Sequence, residues 1–200
     1  MPRITPAHRL ARREQIARAA VEQFAQHGIH STSMANIIRA SGLSSGAIYT
    51  HFESKAEIIA FVAQGTFDAM FSGVEVASQL SPPPAPDELL SMITARIRGA
   101  PFPVGLLVQV WAEAVTNPVV RETVNAVYHR AFEVLEGYAE RWLRDAHGPG
   151  AGVAPEAAAG LAGRMISQFY ARILQLSLID NYDPDSLGIA EELIEGDATP

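Results

Sequence analysis

Apolar side chains recur every three to four positions along most of the chain, the spacing that places them on one face of an α-helix. The first such face consists of Ile16, Ala19, Ala20 and Phe24. We expect this helix to begin near Thr5-Pro6, where threonine caps and proline suits the first turn, and to end before Gly28. No segment alternates between apolar and polar residues as a half-buried strand does, so the pattern predicts an all-α protein.

Two shorter helices are predicted directly after the first. The second helix begins within residues 31–33, and Gly42 supplies the tight turn that ends it. Ser44 then caps a third helix over residues 45–50. Two short helices joined by a glycine turn form the pattern of a helix-turn-helix, whose second helix enters the major groove of DNA.

The remainder of the chain shows longer helical patterns separated by proline-rich and glycine-rich breaks. Consecutive prolines within residues 81–86 and the prolines at 101 and 103 forbid helix, and residues 147–152 form a loop. Between these breaks we expect helices at 56–80 and at 88–99, a helix that follows the prolines at 101 and 103 and ends near 116, and further helices from 117 to about 146, at 155–180 and at 184–194. Asp87 is the expected cap of the helix over 88–99, and Ser54 and Glu57 have capping-box spacing at the start of the fourth helix.

Composition restricts the class of protein further. The chain has 200 residues, of which 48% are hydrophobic and 8% aromatic, and it contains no cysteine. We therefore expect a soluble, cytoplasmic protein without a thiolate metal site or a cofactor. No apolar run is long enough for a membrane span, and the basic N-terminus lacks the apolar stretch of a secretory signal.

The charge is distributed unevenly along the chain. The net charge is −7, but residues 1–55 contain seven basic against three acidic side chains, whereas residues 56–200 contain eight against nineteen. A cationic end can hold phosphate groups while an acidic remainder stays away from the duplex. This asymmetry agrees with a DNA-binding N-terminal end.

A longer motif follows the glycine turn. It contains, at fixed spacing, Gly42-Leu43-Ser44, Gly46, Ile48-Tyr49, His51-Phe52 and Ser54-Lys55. From about residue 13 to about residue 59 the sequence closely resembles the N-terminal domain of TetR-type (tetracycline-repressor family) regulators. The resemblance implies an N-terminal helix-turn-helix head of three helices at residues 1–55, followed by a helical ligand-binding and dimerisation domain at residues 56–200. It also implies a ligand-responsive repressor that a small, mainly apolar molecule releases from a palindromic double-stranded DNA operator.

The candidate DNA contacts lie on or beside the two short helices. They are Thr32, Ser33, Arg39, Ser44, Ser45, Gly46, Ala47, Tyr49, Thr50, His51 and Lys55. Ser45, Gly46 and Ala47 would lie at the N-terminal turn of the third helix, where a recognition helix touches base edges. These side chains lack the amide and guanidinium forks that discriminate strongly between bases, so DNA shape or Arg39 is expected to contribute to specificity.

By the resemblance, Tyr49, His51 and Lys55 contact phosphate groups, and Lys55 is the only lysine of the chain. Simpler interpretations stay open for several of these residues. Tyr49 is alternatively a half-buried core aromatic, and His51 a surface histidine without a partner. Thr32 and Ser33 are alternatively helix caps alone, and the N-terminal arginines form either a solvated tail or a basic arm.

A ligand cavity between the helices of the second domain is a further implication of the resemblance. The apolar candidates for its wall are Met92, Phe102, Trp111, Tyr128, Phe132, Met165, Phe169 and Tyr170. The polar candidates are Gln109, Glu113, Asn125, His129 and Gln168. For each of these residues, ordinary core packing is the alternative interpretation. For Glu113 the alternative is an exposed side chain or a buried ion pair with an arginine. A lining of low charge favours a hydrophobic or aromatic ligand.

The helix over residues 155–180 carries two neighbouring apolar stripes. The first consists of Leu161, Met165, Phe169, Ile173 and Leu176, and the second of Ala158, Ala162, Ile166, Tyr170, Leu174 and Leu178. Together they exceed the apolar arc that a surface helix needs, so we expect one stripe to face a second subunit. The resemblance implies a homodimer through helices at about 155–180 and 184–195; the alternative is a helix central to a monomer core.

Two other classes of function are weaker interpretations of this sequence. An enzyme is disfavoured because the chain contains no His-Glu-x-x-His motif and no phosphate-binding loop. A small-molecule-binding helical module without DNA binding is disfavoured by the presence of Tyr49, His51 and Lys55, which such a module does not need.

Overall fold

The computed structural model of the protein describes residues 5–78, 80–100, 102–148 and 152–183. The described residues form eight α-helices and no strand. These are α1 (Pro6–His27), α2 (Met34–Ser41), α3 (Ser45–Tyr49), α4 (Lys55–Ser78), α5 (Pro86–Arg98), α6 (Gly105–Thr116), α7 (Pro118–His147) and α8 (Pro155–Leu178). The all-α prediction is confirmed, and the helix expected over 184–194 lies outside the described residues.

Local capping chemistry sets the boundaries of the three head helices, as the sequence predicts. Thr5, Ser33 and Ser44 each accept a hydrogen bond from the backbone amide three residues later, at 3.3, 3.2 and 3.2 Å. Gly28 and Gly42 follow α1 and α2 with φ of 82° and 68°. Other residues rarely adopt this region, so the two glycines fix where these helices stop.

Two predicted caps differ from the structure. Ala85 rather than Asp87 is the N-cap of α5. The helix begins two residues earlier than expected because Pro86 suits its first position. Asp87 lies in the first turn instead, where its carboxylate faces the positive end of the helix dipole. At the start of α4, Ser54 accepts from the amide of Glu57 at 3.3 Å, but the Glu57 carboxylate accepts from the amide of Glu53 rather than from that of Ser54.

The buried side chains form two clusters, and the first one joins the head to the rest of the chain. This first core consists of Ile16, Ala20, Phe24, Ile29, Ile37, Ile48, Phe52, Ile58, Ile59, Leu106, Val110, Ala114 and Val120. Its last four members belong to α6 and α7, so the head packs directly on α6. Burying a side chain of the size of leucine or phenylalanine contributes about 1.5–3 kcal/mol. Helix α4 begins at residue 55, where the sequence predicts the domain boundary, but the buried packing continues from the head into α6 and α7.

The second core fills the space between α4, α5, α7 and α8. It includes Phe67, Phe71, Leu89, Leu90, Ile93, Leu135, Tyr138, Met165, Ile166 and Ile173. The hydroxyl of the buried Tyr138 donates to the carbonyl of Pro84 and fastens the proline-rich segment before α5 to α7. Burial, and then the nearby Glu88 and Asp87, raise the pKa of Tyr138, so its hydroxyl stays a donor.

Helix α8 does not divide its two apolar stripes between core and surface as simply as the sequence predicts. Ala158, Ala162 and Ile166 of the second stripe are buried in the protein's own core together with Met165 and Ile173 of the first stripe. Only the C-terminal part of the second stripe is open to solvent, with Leu174 40% and Leu178 74% exposed. The exposed apolar surface of α8 is therefore confined to its last two turns.

Candidate nucleic-acid interface and internal cavity

Helix α3 presents its N-terminal turn to solvent. Ser44, Ser45 and Gly46 are exposed, whereas Ile48 is fully buried in the first core and anchors the helix. Ala47 is half-buried rather than exposed, because it lines a groove between α1 and α3. The surface that α3 offers to a ligand is thus made of two serine hydroxyls and the backbone around Gly46.

The exposed surface continues at the C-terminal end of α3. Tyr49 is 49% exposed, so the interpretation as a core aromatic is wrong. Thr50 is exposed as well, and its hydroxyl donates to the carbonyl of Gly46 at 2.8 Å. The exposed Tyr49 carries a hydroxyl that can donate a hydrogen bond, while the Thr50 oxygen retains lone pairs that can accept.

His51 lies beside a cluster of basic side chains on α1. The α1–α3 groove is lined by His8, Arg12, Leu43, Ala47, Thr50 and His51. Desolvation lowers the pKa of His51 most, and repulsion from Arg9, Arg13, Arg12 and His8 lowers it further. Its Nδ1 is buried and has no hydrogen-bond partner among the described residues. The arginines at positions 9, 12 and 13 therefore belong to α1 and concentrate positive charge around His51.

Arg13 also holds the head on α4. Its guanidinium carbon lies 4.5 Å from the centre of the Phe52 ring and 4.6 Å from that of Phe61. This is the geometry of a cation–π contact. Two residues further along α1, Gln15 donates to the carbonyl of Ser41 at 3.2 Å, at the turn before α3. Sequence reasoning missed both contacts, although the repeated arginines on one helical face were visible.

The ammonium group of Lys55 is engaged by the head's own backbone, which corrects the expected phosphate contact. Nζ donates to the carbonyl oxygens of Ile29 and Thr32 at 2.9 Å each, and it lies 3.5 Å from that of His30. Lysine has three N–H donors, and these three carbonyls account for them. Lys55 thus fastens the loop between α1 and α2 to the start of α4.

The three candidates on and before α2 have different positions. Thr32 is 2% exposed, and its hydroxyl donates to the carbonyl of Gly28 at 2.8 Å, so a DNA contact from this side chain is wrong. Ser33 is exposed and caps α2. Arg39 is exposed in the last turn of α2 and is available to a DNA ligand.

Residues 42–46 also match the Gly-x-Ser-x-Gly pattern of serine hydrolases, and the interpretation of the sequence as lacking that pattern is wrong. In hydrolases this serine sits on a sharp turn between a strand and a helix. Here the segment joins two helices, and the Ser44 hydroxyl accepts from the amide of Ala47 as a helix cap. The geometry is that of a helix-turn-helix and not of a nucleophile elbow.

An internal cavity of about 80 Å³ lies between α4, α5, α6, α7 and α8. This volume holds several water molecules. Side chains from all five helices form the wall, and those that line it among the described residues carry no charge. The polar atoms come from Thr66, Trp111, Tyr128 and Tyr170.

The aromatic side chains give the cavity its few polar features. The ring centres of Trp111 and Tyr170 are 4.5 Å apart with an angle of 58° between the planes. Burial, and then repulsion from Tyr128, raise the pKa of Tyr170, so its hydroxyl remains protonated. The Thr66 hydroxyl already donates to the carbonyl of Val62 at 2.8 Å. The tyrosine hydroxyls and the indole N–H are therefore the remaining side-chain donors among the residues that line the cavity.

The structure brings together only part of the predicted cavity wall. Phe102, Trp111, Tyr128, Phe169 and Tyr170 line the cavity. The other apolar candidates do not, because Met92 is 46% exposed and because Phe132 and Met165 pack elsewhere in the second core. Helical periodicity identifies an apolar face but not the neighbour that it meets.

The polar candidates all lie outside the cavity wall. Gln109 accepts from the amide of Ile29 in the head at 2.8 Å, and Glu113 accepts from Asn117 at 3.2 Å. Asn125 and His129 are exposed on α7. Gln168 lies near the first turn of α5, 3.4 Å from the carboxylate of Asp87. None of these side chains lines the cavity, so the prediction that they belong to its wall is wrong.

The contribution of α4 to the cavity was missed in the sequence. This helix supplies Val62, Ala63, Thr66, Phe67 and Phe71 to the wall. The available signal was that apolar residues surround much of this helix rather than forming one narrow stripe. Since α4 begins in the head and ends in the body, it connects the cavity to the helix-turn-helix.

No helix in the described ranges is long and apolar enough to cross a membrane. In the same part of the chain, no group of three or more histidine, aspartate or glutamate side chains is arranged to hold a metal ion.

The fold and the exposed turn of α3 define a helical protein of the helix-turn-helix class. Residues 16–62 match the family model described as bacterial regulatory proteins of the tetR family. This match supports the TetR-type resemblance of the N-terminal part of the chain.

Two curated relatives match over about a third of the chain. The HTH-type transcriptional repressor KstR2 of Mycolicibacterium smegmatis is 31% identical over 67 residues, which are 34% of this chain and 33% of the relative. The HTH-type transcriptional regulator AcrR of Shigella flexneri is 38% identical over 58 residues, 29% of this chain and 27% of the relative. The alignments thus span about a quarter to a third of the length of these relatives.

Solved structures are similar over most of the chain. Salmonella enterica GusR has a TM-score of 0.64 and 26% identity, and the match covers 88% of this chain and 95% of that one. A protein from Saccharomonospora viridis solved in complex with choline has a TM-score of 0.63 and 21% identity, covering 87% of this chain and 90% of that one. The second similarity shows a shared fold.

Proposed function

We propose that this protein is a DNA-binding transcriptional regulator, and specifically a repressor that a small apolar molecule releases from a palindromic operator. The observation that carries the proposal is the exposed N-terminal turn of α3, which is fixed by the Ser44 cap and the buried Ile48. The cluster of arginines on α1 adds the positive charge that phosphate groups require. The relatives named as repressors support the same function.

Different residues of the helix-turn-helix are proposed for base contacts and for phosphate contacts. We assign Ser45 and Gly46 to base edges, because they form the exposed N-terminal turn of α3 and this turn of a recognition helix touches base edges. We assign Tyr49 and His51, at and just after the other end of α3, to phosphates, and Arg39 on α2 to the same basic surface. Hydroxyls discriminate weakly between bases, so we expect DNA shape to supply part of the specificity.

Binding to the DNA that flanks the protein's own gene tests this proposal. We expect a fluorescence-anisotropy titration to show affinity that falls with salt, with a logarithmic slope of about −0.9 for each phosphate contacted. Tyr49→Phe should weaken binding to all sequences alike, whereas Ser45→Ala should change the preferred sequence. Tyr182→Phe, outside the head, is the matched control. A folded protein that binds no such fragment at low salt would contradict the proposal.

The cavity is proposed as the inducer site. Its uncharged wall of aromatic and aliphatic side chains suits a hydrophobic or aromatic molecule without net charge. The hydroxyls of Tyr128 and Tyr170 suit a single polar group on that molecule. A charged ligand would lose its hydration without gaining a partner of opposite charge from the lining side chains.

Trp111 provides a direct assay for the inducer because it lines the cavity. In a Trp142→Phe background, we expect uncharged aromatic compounds to quench the remaining tryptophan and to weaken DNA binding in parallel. Ala63→Leu adds volume inside the cavity and should abolish both effects. Ala112→Leu places the same change on the exposed side of α6 and should leave them intact. Equal quenching in both leucine variants would argue against the cavity as the site.

The protein is proposed to act as a homodimer, with α8 as part of the interface. Leu174, Leu178 and Ile179 are 40%, 74% and 53% exposed at its C-terminal end, an apolar surface that a partner would cover. The second interface helix, at about 184–195, lies outside the described residues. Analytical ultracentrifugation of the wild-type protein should give the mass of two chains, and that of Leu178→Glu should give the mass of a single chain. Val115→Glu, which changes a valine of similar exposure on α6, should remain dimeric.

A further inference from the structure

The loop of residues 28–33, between α1 and α2, is held by side chains from two other helices. Oε1 of Gln109 on α6 accepts the N–H of Ile29 at 2.8 Å. Nζ of Lys55 on α4 donates to the carbonyl of the same residue at 2.9 Å. The backbone of Ile29 is therefore bound through its N–H to the body and through its C=O to α4.

Helix α6 contacts both the head and the cavity. Leu106 and Val110 line the cavity and also belong to the first core, which contains the buried residues of the head. Gln109 is absent from the cavity wall and makes its side-chain hydrogen bond to the head. A change in the position of α6 that originates at the cavity would therefore act directly on the loop.

Gly28 directs the Ile29 amide through its backbone conformation rather than through its small size. A Cβ built on Gly28 would lie 3.5 Å from Oε1 of Gln109, an ordinary contact distance, so space alone does not require glycine here. Gly28 has a φ of 82°, which leads the chain out of α1 and aims the Ile29 amide at α6. Two independent features, the backbone turn and the glutamine acceptor, converge on this contact.

The loop moves together with α2 because it is internally fastened. The hydroxyl of Thr32 donates back to the carbonyl of Gly28 at 2.8 Å. Ser33 follows directly and caps α2. A displacement at Ile29 is therefore passed to α2, and through the turn at Gly42 to α3.

We propose that Gln109 is a positioning residue that sets the orientation of the helix-turn-helix head against the cavity wall, through its hydrogen bond to the Ile29 amide. The proposal rests on the DNA-binding function proposed above and names the contact by which α6 regulates it. The head keeps its buried core without this bond, so the residue controls orientation rather than folding. In a dimer, the orientation of each head sets the distance between the two recognition helices.

Hydrogen exchange at the Ile29 amide tests the contact itself in the full-length protein. Gln109→Leu removes the acceptor at similar volume, and we expect exchange at Ile29 to become about tenfold faster. Gln109→Glu retains an acceptor and should restore slow exchange. Gln64→Leu is the matched control, because the Gln64 carboxamide donates to Asp68 on its own helix and not to the loop of residues 28–33 in the described part of the chain. Unchanged exchange in Gln109→Leu would overturn the proposal.

The spacing of DNA half-sites tests the positioning role. An operator selected by the wild-type protein from random DNA is lengthened or shortened by one base pair between its half-sites. We expect Gln109→Leu to lose about fivefold of the wild-type discrimination against these altered spacings, while Gln64→Leu keeps it. Faster exchange at Ile29 with unchanged spacing discrimination would overturn the positioning role. A wild-type protein that selects no DNA would instead overturn the proposed function, so the two failures are distinguishable.

Discussion

Replacing Lys55 by methionine decides whether its ammonium group serves the backbone of the head or DNA. Methionine keeps the length and the apolar stem of the side chain but removes all three donors. The carbonyls of Ile29 and Thr32 then lose partners at 2.9 Å each, and the loop between α1 and α2 is no longer joined to α4. The structure therefore predicts a loss of stability, which a residue used only for phosphate contact would not show.

The magnitude follows from the number and type of these hydrogen bonds. A hydrogen bond with one charged partner contributes about 1.5–3 kcal/mol, and one left open to water contributes less. Lys55 makes two short ones and is partly exposed, so we expect the whole change to cost about 1.5–3 kcal/mol. For a chain of this length that corresponds to about 3–12 °C in Tm.

Chemical and thermal denaturation at one fixed protein concentration measure this loss, since dimer formation makes stability depend on concentration. Arg39→Met removes an exposed cation from α2 and should change stability by less than about 0.5 kcal/mol. Below its transition, Lys55→Met should keep the wild-type salt slope for DNA binding. Unchanged stability together with a slope reduced by about 0.9 would refute the structural role and restore the phosphate contact.

Three further predictions use other groups of the head and body. Desolvation and the neighbouring arginines lower the pKa of His51 in the folded protein below its ordinary value of 6.5, so just under pH 6.5 the unfolded chain binds more protons than the folded one. The free energy of unfolding should therefore fall as pH is lowered from 6.5 towards the pKa of the folded state. In urea denaturation, His51→Gln should remove the part of this fall that His51 causes. Tyr138→Phe leaves the Pro84 carbonyl without its buried donor and should cost about 1–3 kcal/mol, whereas Tyr182→Phe should cost little. Thr32→Val should lower stability by about 1–2 kcal/mol without changing the salt slope of DNA binding; a reduced slope would show that its side chain reaches a phosphate after all.

Helix boundaries in the head follow from nearest-neighbour chemistry, and the sequence predicts them for that reason. Thr5, Ser33 and Ser44 cap helices within three residues of themselves, and Gly28 and Gly42 end them through their own φ angles. The error at Asp87 has the same local origin. A proline suits the first position of a helix, and this preference outweighed the capping tendency of the aspartate.

The cavity shows where periodicity stops being informative. Trp111 and Phe169 line it, while Met165, on the same apolar stripe of α8 as Phe169, packs in the core instead. Periodicity reports that a face is apolar, but the neighbouring helix decides whether that face meets another side chain or an open space. The contribution of α4 depends on the angle at which this helix crosses the body, and no local pattern records that angle.

The amino-acid sequence alone determined the helical class, the position of the helix-turn-helix and the resemblance of the head to a regulator family, because these depend on spacing, caps and glycine turns within a few residues. Only the tertiary structure decided what Lys55 and Gln109 do. Their partners lie 26 and 80 residues away along the chain, and both meet at the backbone of Ile29. A backbone carbonyl or amide carries no side-chain signature, so a residue that binds one is recognised only when folding has brought the two together.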